Sequence, residues 1–368
     1  MDELALTERL VAFDTSSAEG LRRAAEFVGG WLESRDITAR QIEARGLPVT
    51  MAEVGPPDAP ALVMHGHLDV VPGGGEQFRP RVDGDRLFGR GAYDMKGALA
   101  VMMLVLLDAK EQDAVRLRLG IVSDEESEEE ENRGSDALVG DGFIGDFAIT
   151  GEPTNLQVGV QAKGVLALRL GISGRAAHGA TPWLGDNAIV KAVEVFRGIE
   201  SLPFARQSSE LFDRPSINLG RIWGGDALNR VPDNCVVDID VRFLPEQDPE
   251  EILAQVAGLP DTRVIATFRR PPAVVEETSP YVVGLCEAAS PHHPERVMSV
   301  GRDGASDAVS FLRVGVPAVE FGPIGDGHHG PEEWVSISSL RSYRHALEGF
   351  VRHFPGLAPS GDGGVPAR

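Results

Sequence analysis

Two histidines and an aspartate close the apolar stretch Ala61-Leu62-Val63-Met64-His65-Gly66-His67-Leu68-Asp69-Val70-Val71-Pro72. An apolar run of strand length that ends in glycine and polar residues reads as a buried parallel strand, and such strands present ligand-binding groups at their carboxyl ends. His67 and Asp69 belong at that rim. A neutral imidazole is a good zinc ligand, and a carboxylate two residues on can accept its other ring N–H, fixing tautomer and direction. Further segments bring metal-type side chains to the same rim: Asp94 in Gly89-Arg90-Gly91-Ala92-Tyr93-Asp94-Met95-Lys96-Gly97, the pair Glu125 and Glu126, Glu152, and His329 after a late strand. Imidazole and carboxylate without thiolate suit zinc, with cobalt or manganese as substitutes. Three carboxylates offset most of the charge of two divalent ions and a bridging hydroxide the rest, a count that points to two metals.

Taken singly, acidic residues in loops after strands are usually just solvated. That reading weakens for the set, because each follows an apolar strand or opens a buried helix, where an unpaired carboxylate is costly. The remaining histidines read as ordinary: His65 as packed or hydrogen-bonded, His292 and His293 as solvated beside prolines, and His328 as a neighbour competing with His329.

The elements that must position these groups alternate. Residues 4–34 carry apolar positions at helical spacing broken at 14–17, which predicts two helices. A strand ending at His67, a buried helix over 95–110, and strands at 115–122 and 146–150 imply an α/β fold with a mixed, largely parallel sheet flanked by helices. From 163 to 268 the order is strand, helix, strand, strand, helix, strand, the split repeat of a ferredoxin-like α/β sandwich. The α/β pattern then resumes with helices near 281–289 and 306–312, a strand at 317–321 and a last helix over 336–354. The expected organisation is a discontinuous catalytic domain (1–156 and 271–358), an inserted lid and dimerisation domain (157–270), and a disordered tail (359–368) rich in glycine and proline.

At 368 residues the chain is long enough for two cores. A net charge of −21 argues against nucleic acid or an anionic membrane as partner. Cys235 and Cys286 are the two cysteines, so neither a disulfide framework nor a thiolate zinc site is available, and a reducing cytoplasm fits best. The amino terminus lacks a signal-peptide pattern, and the longest apolar run, 98–107, is too short to span a bilayer.

In order, MHGHLDVVP, GRGAYDMKG, SDEE, TGEPT, GRAAH, NRVPD, GASD and HGPEEWV resemble the zinc-dependent family of succinyl-diaminopimelate desuccinylase, acetylornithine deacetylase, aminoacylase and glutamate carboxypeptidase. The resemblance spans nearly the whole chain, and the ordered set is far more specific than any single motif. It implies a zinc-peptidase-like fold in which His67 and Glu152 hold one zinc, Glu126 and His329 the other, and Asp94 bridges them. Asp69 would orient His67, and Glu125 would be the general base for a zinc-activated water attacking an amide carbonyl. His178 would reach across a homodimer to the partner's site to stabilise the oxyanion. Asn229 and Arg242, with Ser306 as a weaker candidate, would grip the substrate carboxylate; as bare residues, His178, Asn229 and Arg242 read as ordinary loop or exposed polar groups.

Two departures stand out. The turn after Glu126 enters the acidic run Glu128-Glu129-Glu130-Glu131 instead of glycines, and Gln77-Phe78-Arg79 replaces the tryptophan and proline common before GRGA. Glutamate in TGEPT resembles the deacylase and carboxypeptidase branch. The expected substrate is an N-acetyl or N-succinyl amino acid, with a peptide bearing a free carboxyl end as the alternative and a catalytically silent scaffold as the reading of another class.

Overall fold

The computed structural model describes residues 2–127, 132–293 and 297–357, so the acidic run at 128–131 and the tail at 359–368 fall outside the described residues. Two compact units are present: residues 1–160, 275–300 and 307–368 make one, residues 161–274 with 301–306 the other. In chain order the helices are α1 (Glu3–Val11), α2 (Ala18–Glu33), α3 (Gly97–Asp108), α4 (Gly134–Gly140), α5 (Ala188–Ile199), α6 (Pro249–Ala257), α7 (Pro280–Ala289), α8 (Ala308–Leu312) and α9 (Ile337–His353). The strands are β1 (Ala39–Ala44), β2 (Leu47–Val54), β3 (Ala61–His67), β4 (Arg81–Asp83), β5 (Arg86–Phe88), β6 (Arg116–Val122), β7 (Phe147–Thr150), β8 (Val158–Ala162), β9 (Gly164–Ser173), β10 (Ser216–Gly224), β11 (Asn234–Phe243), β12 (Thr262–Arg270), β13 (Ala273–Val274), β14 (Ser299–Arg302), β15 (Ala318–Glu320), β16 (Gly325–Asp326) and β17 (Trp334–Ser336).

In the first unit the large sheet runs β1-β2-β6-β3-β7-β15-β8. Its inner strands β6, β3, β7 and β15 pair in parallel, while the margins are antiparallel. Parallel pairing sends the carboxyl ends of four strands to one edge, and buried parallel strands read as continuous apolar runs; Leu62 to His67 are all buried. Helix α3 has no polar face, every residue from Gly97 to Leu106 being buried, so it packs as an interior helix. The entry helices start where side-chain acceptors stop the chain fraying: Asp2 accepts from the Ala5 amide and Ser17 from the Gly20 amide.

A smaller antiparallel sheet, β16-β17-β5-β4, sits in the same unit. It joins the segment leading to Asp94 to the hairpin carrying His329, since β5 pairs with β17 from Trp334↔Phe88 to Ser336↔Arg86.

The second unit is a four-stranded antiparallel sheet in the order β10-β11-β9-β12 with α5 and α6 as its crossover helices. This is the ferredoxin-like arrangement. Burial along β11 alternates residue by residue, as period-two packing on one face requires. Its core joins Leu166, Leu168 and Leu170 of β9, Val237 and Ile239 of β11, and Ala192 and Ile199 of α5.

Candidate active site

Three of the parallel strands, β3, β6 and β7, end in or lead directly to polar residues at the shared rim. His67 is the last residue of β3, Asp124-Glu125-Glu126 form the turn after β6, and Glu152 follows β7 by two residues. His329 lies in the β16–β17 connection with φ +62, and Asp94 lies in the turn between β5 and α3, where its peptide bond to Met95 is cis. Close approach at the rim demands glycine at Gly322, just past β15: a Cβ there would sit 2.2 Å from the Glu152 carbonyl oxygen.

The side chains converge. Asp94 directs one oxygen to each histidine, Oδ1 lying 3.2 Å from His67 Nε2 and Oδ2 3.6 Å from His329 Nε2. On the first side Glu152 Oε1 is 3.7 Å from His67 Nε2; on the second Glu126 Oε1 is 2.9 Å from His329 Nε2. Ligand atoms of His67, Asp94 and Glu126 fall within 4.8 Å of one another. His67 is fully buried, whereas the His329 side chain is 50% exposed.

Asp69 meets His67 differently from the expected carboxylate clasp. Its main-chain oxygen lies 2.9 Å from Nδ1, with the carboxylate Oδ1 farther off at 3.5 Å. The other carboxylate oxygen accepts the Glu126 amide at 2.7 Å, so one residue restrains a histidine through its backbone and the β6 turn through its side chain.

The field at the rim calls for positive charge. Burial opposes a charged His67, yet the nearby Asp69 and Asp94 carboxylates outweigh it and raise its pKa well above the usual value. Hydrogen bonds to Asp94 and Glu126 push His329 up to about 10. Burial, then the Asp94 charge, raise Glu152 well above the carboxylate range, and the buried Glu152 Oε1 accepts no hydrogen bond among the described residues. Burial followed by the Asp307 charge pushes Glu125 up to about 8, with His67 acting in the opposite sense. Two imidazoles drawn toward protonation, a carboxylate shared between them and an unpartnered carboxylate oxygen together fit divalent cations held by nitrogen and oxygen donors.

Glu333 is a positioning group whose part was not evident from residue type. Its buried carboxylate is 2.8 Å from Arg90 Nη1 and accepts the amides of Gly91, Tyr93 and Asp94 at 3.0, 3.1 and 3.1 Å. Arg90 also donates to the His329 carbonyl at 3.2 Å. A single buried ion pair thus ties the Asp94 turn to the His329 hairpin. The available signal was a second glutamate before an apolar pair in HGPEEWV.

The other expected site residues belong to the second unit. His178 is exposed and its Nδ1 accepts the Ala180 amide at 3.0 Å. The exposed Asn229 accepts the Gly179 amide through its carbonyl at 2.7 Å. Half-buried Arg242 pairs with Asp240 at 2.8 Å, and Ser306 is buried, its carbonyl accepting from Arg270 at 3.0 Å. His65 is buried and within 3.0 Å of Ser135 Oγ, packed rather than directed to the rim.

Residues 63–353 match the family model described as peptidase family M20/M25/M40. A succinyl-diaminopimelate desuccinylase of Beijerinckia indica subsp. indica is 30% identical over 348 residues, covering 82% of this chain and 88% of that one. Among solved structures, a tripeptidase from Staphylococcus aureus superposes with a TM-score of 0.79 at 20% identity, covering 96% of this chain and 98% of the other. An M20 family metallo-carboxypeptidase from Sulfolobus solfataricus gives the same score at 19% identity, over 97% and 100% of the two chains.

Proposed function

This chain belongs to peptidase family M20/M25/M40, a family of metal-dependent hydrolases of amide bonds, and on that footing we propose that it removes the acyl group from an N-acetyl or N-succinyl amino acid. The observation that carries the reading is Asp94 with one carboxylate oxygen toward each of two histidines. His67, Glu152 and Asp94 would hold one zinc ion, and Asp94, Glu126 and His329 a second, with cobalt or manganese as substitutes. Bound there, the ions supply Lewis acidity that polarises an amide carbonyl and makes water a better acid.

Glu125 is the general base. As a carboxylate beside the proposed metal ligands it takes a proton from water and then delivers it to the leaving amine. Asp69 steers His67 and the β6 turn. His178 contributes to oxyanion stabilisation from a partner subunit, and Asn229, Arg242 and Ser306 serve the substrate carboxylate.

Homodimerisation through the second unit is part of the proposal. β10 is an edge strand, and Ile222 and Trp223 near its end are 41% and 49% exposed, with Val190 and Val193 of α5 also uncovered. An apolar sheet edge left open is a pairing surface. The two cysteines are unbonded, and no described helix is long and apolar enough to cross a membrane; we place the protein in the cytoplasm.

The deciding experiment measures free amine released from a panel of N-acetyl, N-succinyl and carboxyl-terminal peptide substrates, with zinc or cobalt and with chelator. Chelator-sensitive release from small acyl amino acids is expected. Cleavage of peptides alone would replace the deacylase with the carboxypeptidase reading, which the Sulfolobus solfataricus likeness in fold keeps open. Silence across the panel without bound metal would support the scaffold.

A further inference from the structure

Behind the rim lies a buried polar chain that the proposed reaction has not yet used. Asp307, Ser135 and His65 are each almost wholly buried, as is Arg133. Ser135 Oγ donates to Asp307 Oδ2 and lies 3.0 Å from His65 Nε2. The second Asp307 oxygen is 3.4 Å from Arg133 Nη1. From that anchorage the guanidinium reaches the β6 turn: Nη1 donates to the Glu125 carbonyl at 3.1 Å and Nη2 to the Ser127 carbonyl at 3.3 Å. Nη1 stands 3.9 Å from the Glu125 carboxylate, an ionic approach beyond hydrogen-bond length.

A planar fork gripping two carbonyls constrains a turn in a way that a point charge cannot. The grip falls on either side of Glu126, and the chain returns for it through Gly134, whose amide donates to both Asp124 oxygens at 2.9 and 3.0 Å. Only glycine fits there, since a Cβ would lie 2.8 Å from Asp124 Oδ1 and 2.9 Å from Val122 Cβ. The turn is thereby held at its start by Asp124 and at its middle and end by Arg133.

We propose that Arg133, anchored by Asp307, is a positioning residue for the hydrolytic reaction: it holds the Glu125–Ser127 turn so that the Glu125 carboxylate faces the rim in the pose that takes and returns a proton. The inference rests on the reading of Glu125 as general base. Arg133 is not one of the proposed metal ligands and acts through Glu125.

The test uses the full-length zinc-loaded enzyme with Arg133→Ala, Arg133→Gln and Arg133→Lys, on whichever amide the panel shows to be hydrolysed fastest. Displacement of a catalytic group by about 1 Å costs on the order of 100-fold. Arg133→Ala should therefore lose about 100-fold in kcat, with KM within about threefold, the pattern of an interaction felt mainly in the transition state. Zinc per chain and the circular dichroism spectrum should match the parent. Lysine, which can reach one carbonyl, should recover about tenfold. If the alanine variant does not fold, the lysine and glutamine variants carry the same expectation, with lysine the more active.

In a Glu125→Gln background, Arg133→Lys should cost nothing further, because a residue acting through Glu125 has nothing left to position. A kcat within about threefold of the parent for all three variants would overturn the inference, as would a loss cured by excess zinc or an undiminished loss in the Glu125→Gln background. Full turnover by Glu125→Gln alone would instead remove the general-base reading, and this inference with it.

Discussion

Replacing Glu333 with alanine strips the Asp94 turn of its anchor and leaves the Arg90 guanidinium buried without its carboxylate. Breaking a buried ion pair from one side costs about 3–5 kcal/mol, because the surviving charge keeps its desolvation penalty. The amides of Gly91, Tyr93 and Asp94 also lose their acceptor; water entering the space left by the side chain satisfies some of them, so their cost is not added to that range. A domain is stable by about 5–15 kcal/mol in all, and large domains lose about 2–4 °C of melting temperature per kcal/mol. Glu333→Ala should therefore melt roughly 6–20 °C below the parent. Glu333→Gln keeps one acceptor oxygen, enough for the Tyr93 and Asp94 amides that share Oε1, but sets an NH2 group against Arg90 and the Gly91 amide; the unpaired Gly91 amide alone costs about 1–3 kcal/mol, beside the lost charge. The assay is urea and thermal unfolding under chelator, which removes any contribution of bound ions, followed by zinc titration. Both variants should bind zinc more weakly, since the turn presenting Asp94 has lost its brace. A Glu333→Ala protein within about 1 kcal/mol of the parent would refute the reasoning, because no buried pair can be broken so cheaply.

Elemental analysis of ligand variants tests the sharing of Asp94: Asp94→Ala should lose both metal equivalents, and His67→Ala or His329→Ala one each. Glu125→Gln should lower kcat by about 10²–10⁴-fold while metal content holds; unchanged turnover would exclude its role. Trp223→Glu, at the exposed edge of β10, should sediment as a monomer if the second unit makes the dimer, and an unchanged sedimentation coefficient would place the interface elsewhere. The pH dependence of stability should carry the signature of Glu53. Burial works to raise its pKa, but the hydrogen bond from Arg116 at 2.8 Å and the charge of Arg118 hold it below its ordinary 4.5. An acid with a lowered folded pKa contributes stability that is fully present above its unfolded pKa and lost as pH falls through the folded one. Melting temperatures of parent and Glu53→Gln should differ at neutral pH and converge below about pH 4.5, and a gap that widened on acidification would contradict the sign.

What the sequence made legible follows from how each element earns its burial. β3 and α3 announce themselves because continuous apolar runs have no other use in a chain of this composition, and the polar residues that end such strands are conspicuous by contrast. The split strand-helix repeat of the second unit was readable because β9 and β11 alternate and α5 is amphipathic. The β1–β2 hairpin was not. β1 is the polar edge strand Ala39-Arg40-Gln41-Ile42-Glu43-Ala44, largely exposed, and its turn uses Arg45 and Gly46 with positive φ in place of a stronger Asn-Gly signal. Helix α4 stood hidden behind the acidic run, and β8 is too short to separate from β9. The Glu333–Arg90 and Arg133–Asp307 pairs join residues 243 and 174 positions apart, a separation across which no periodicity reports.

His67 and His329 serve the same proposed centre from opposite environments, one sealed in the sheet edge and the other half in water. An ion held on the His329 side would have that half-exposed imidazole beside it, so water would reach it more readily. An ion on the His67 side would need the rim itself to open. The two would then exchange with their surroundings at unlike rates, and a chelator would empty the pair in two phases.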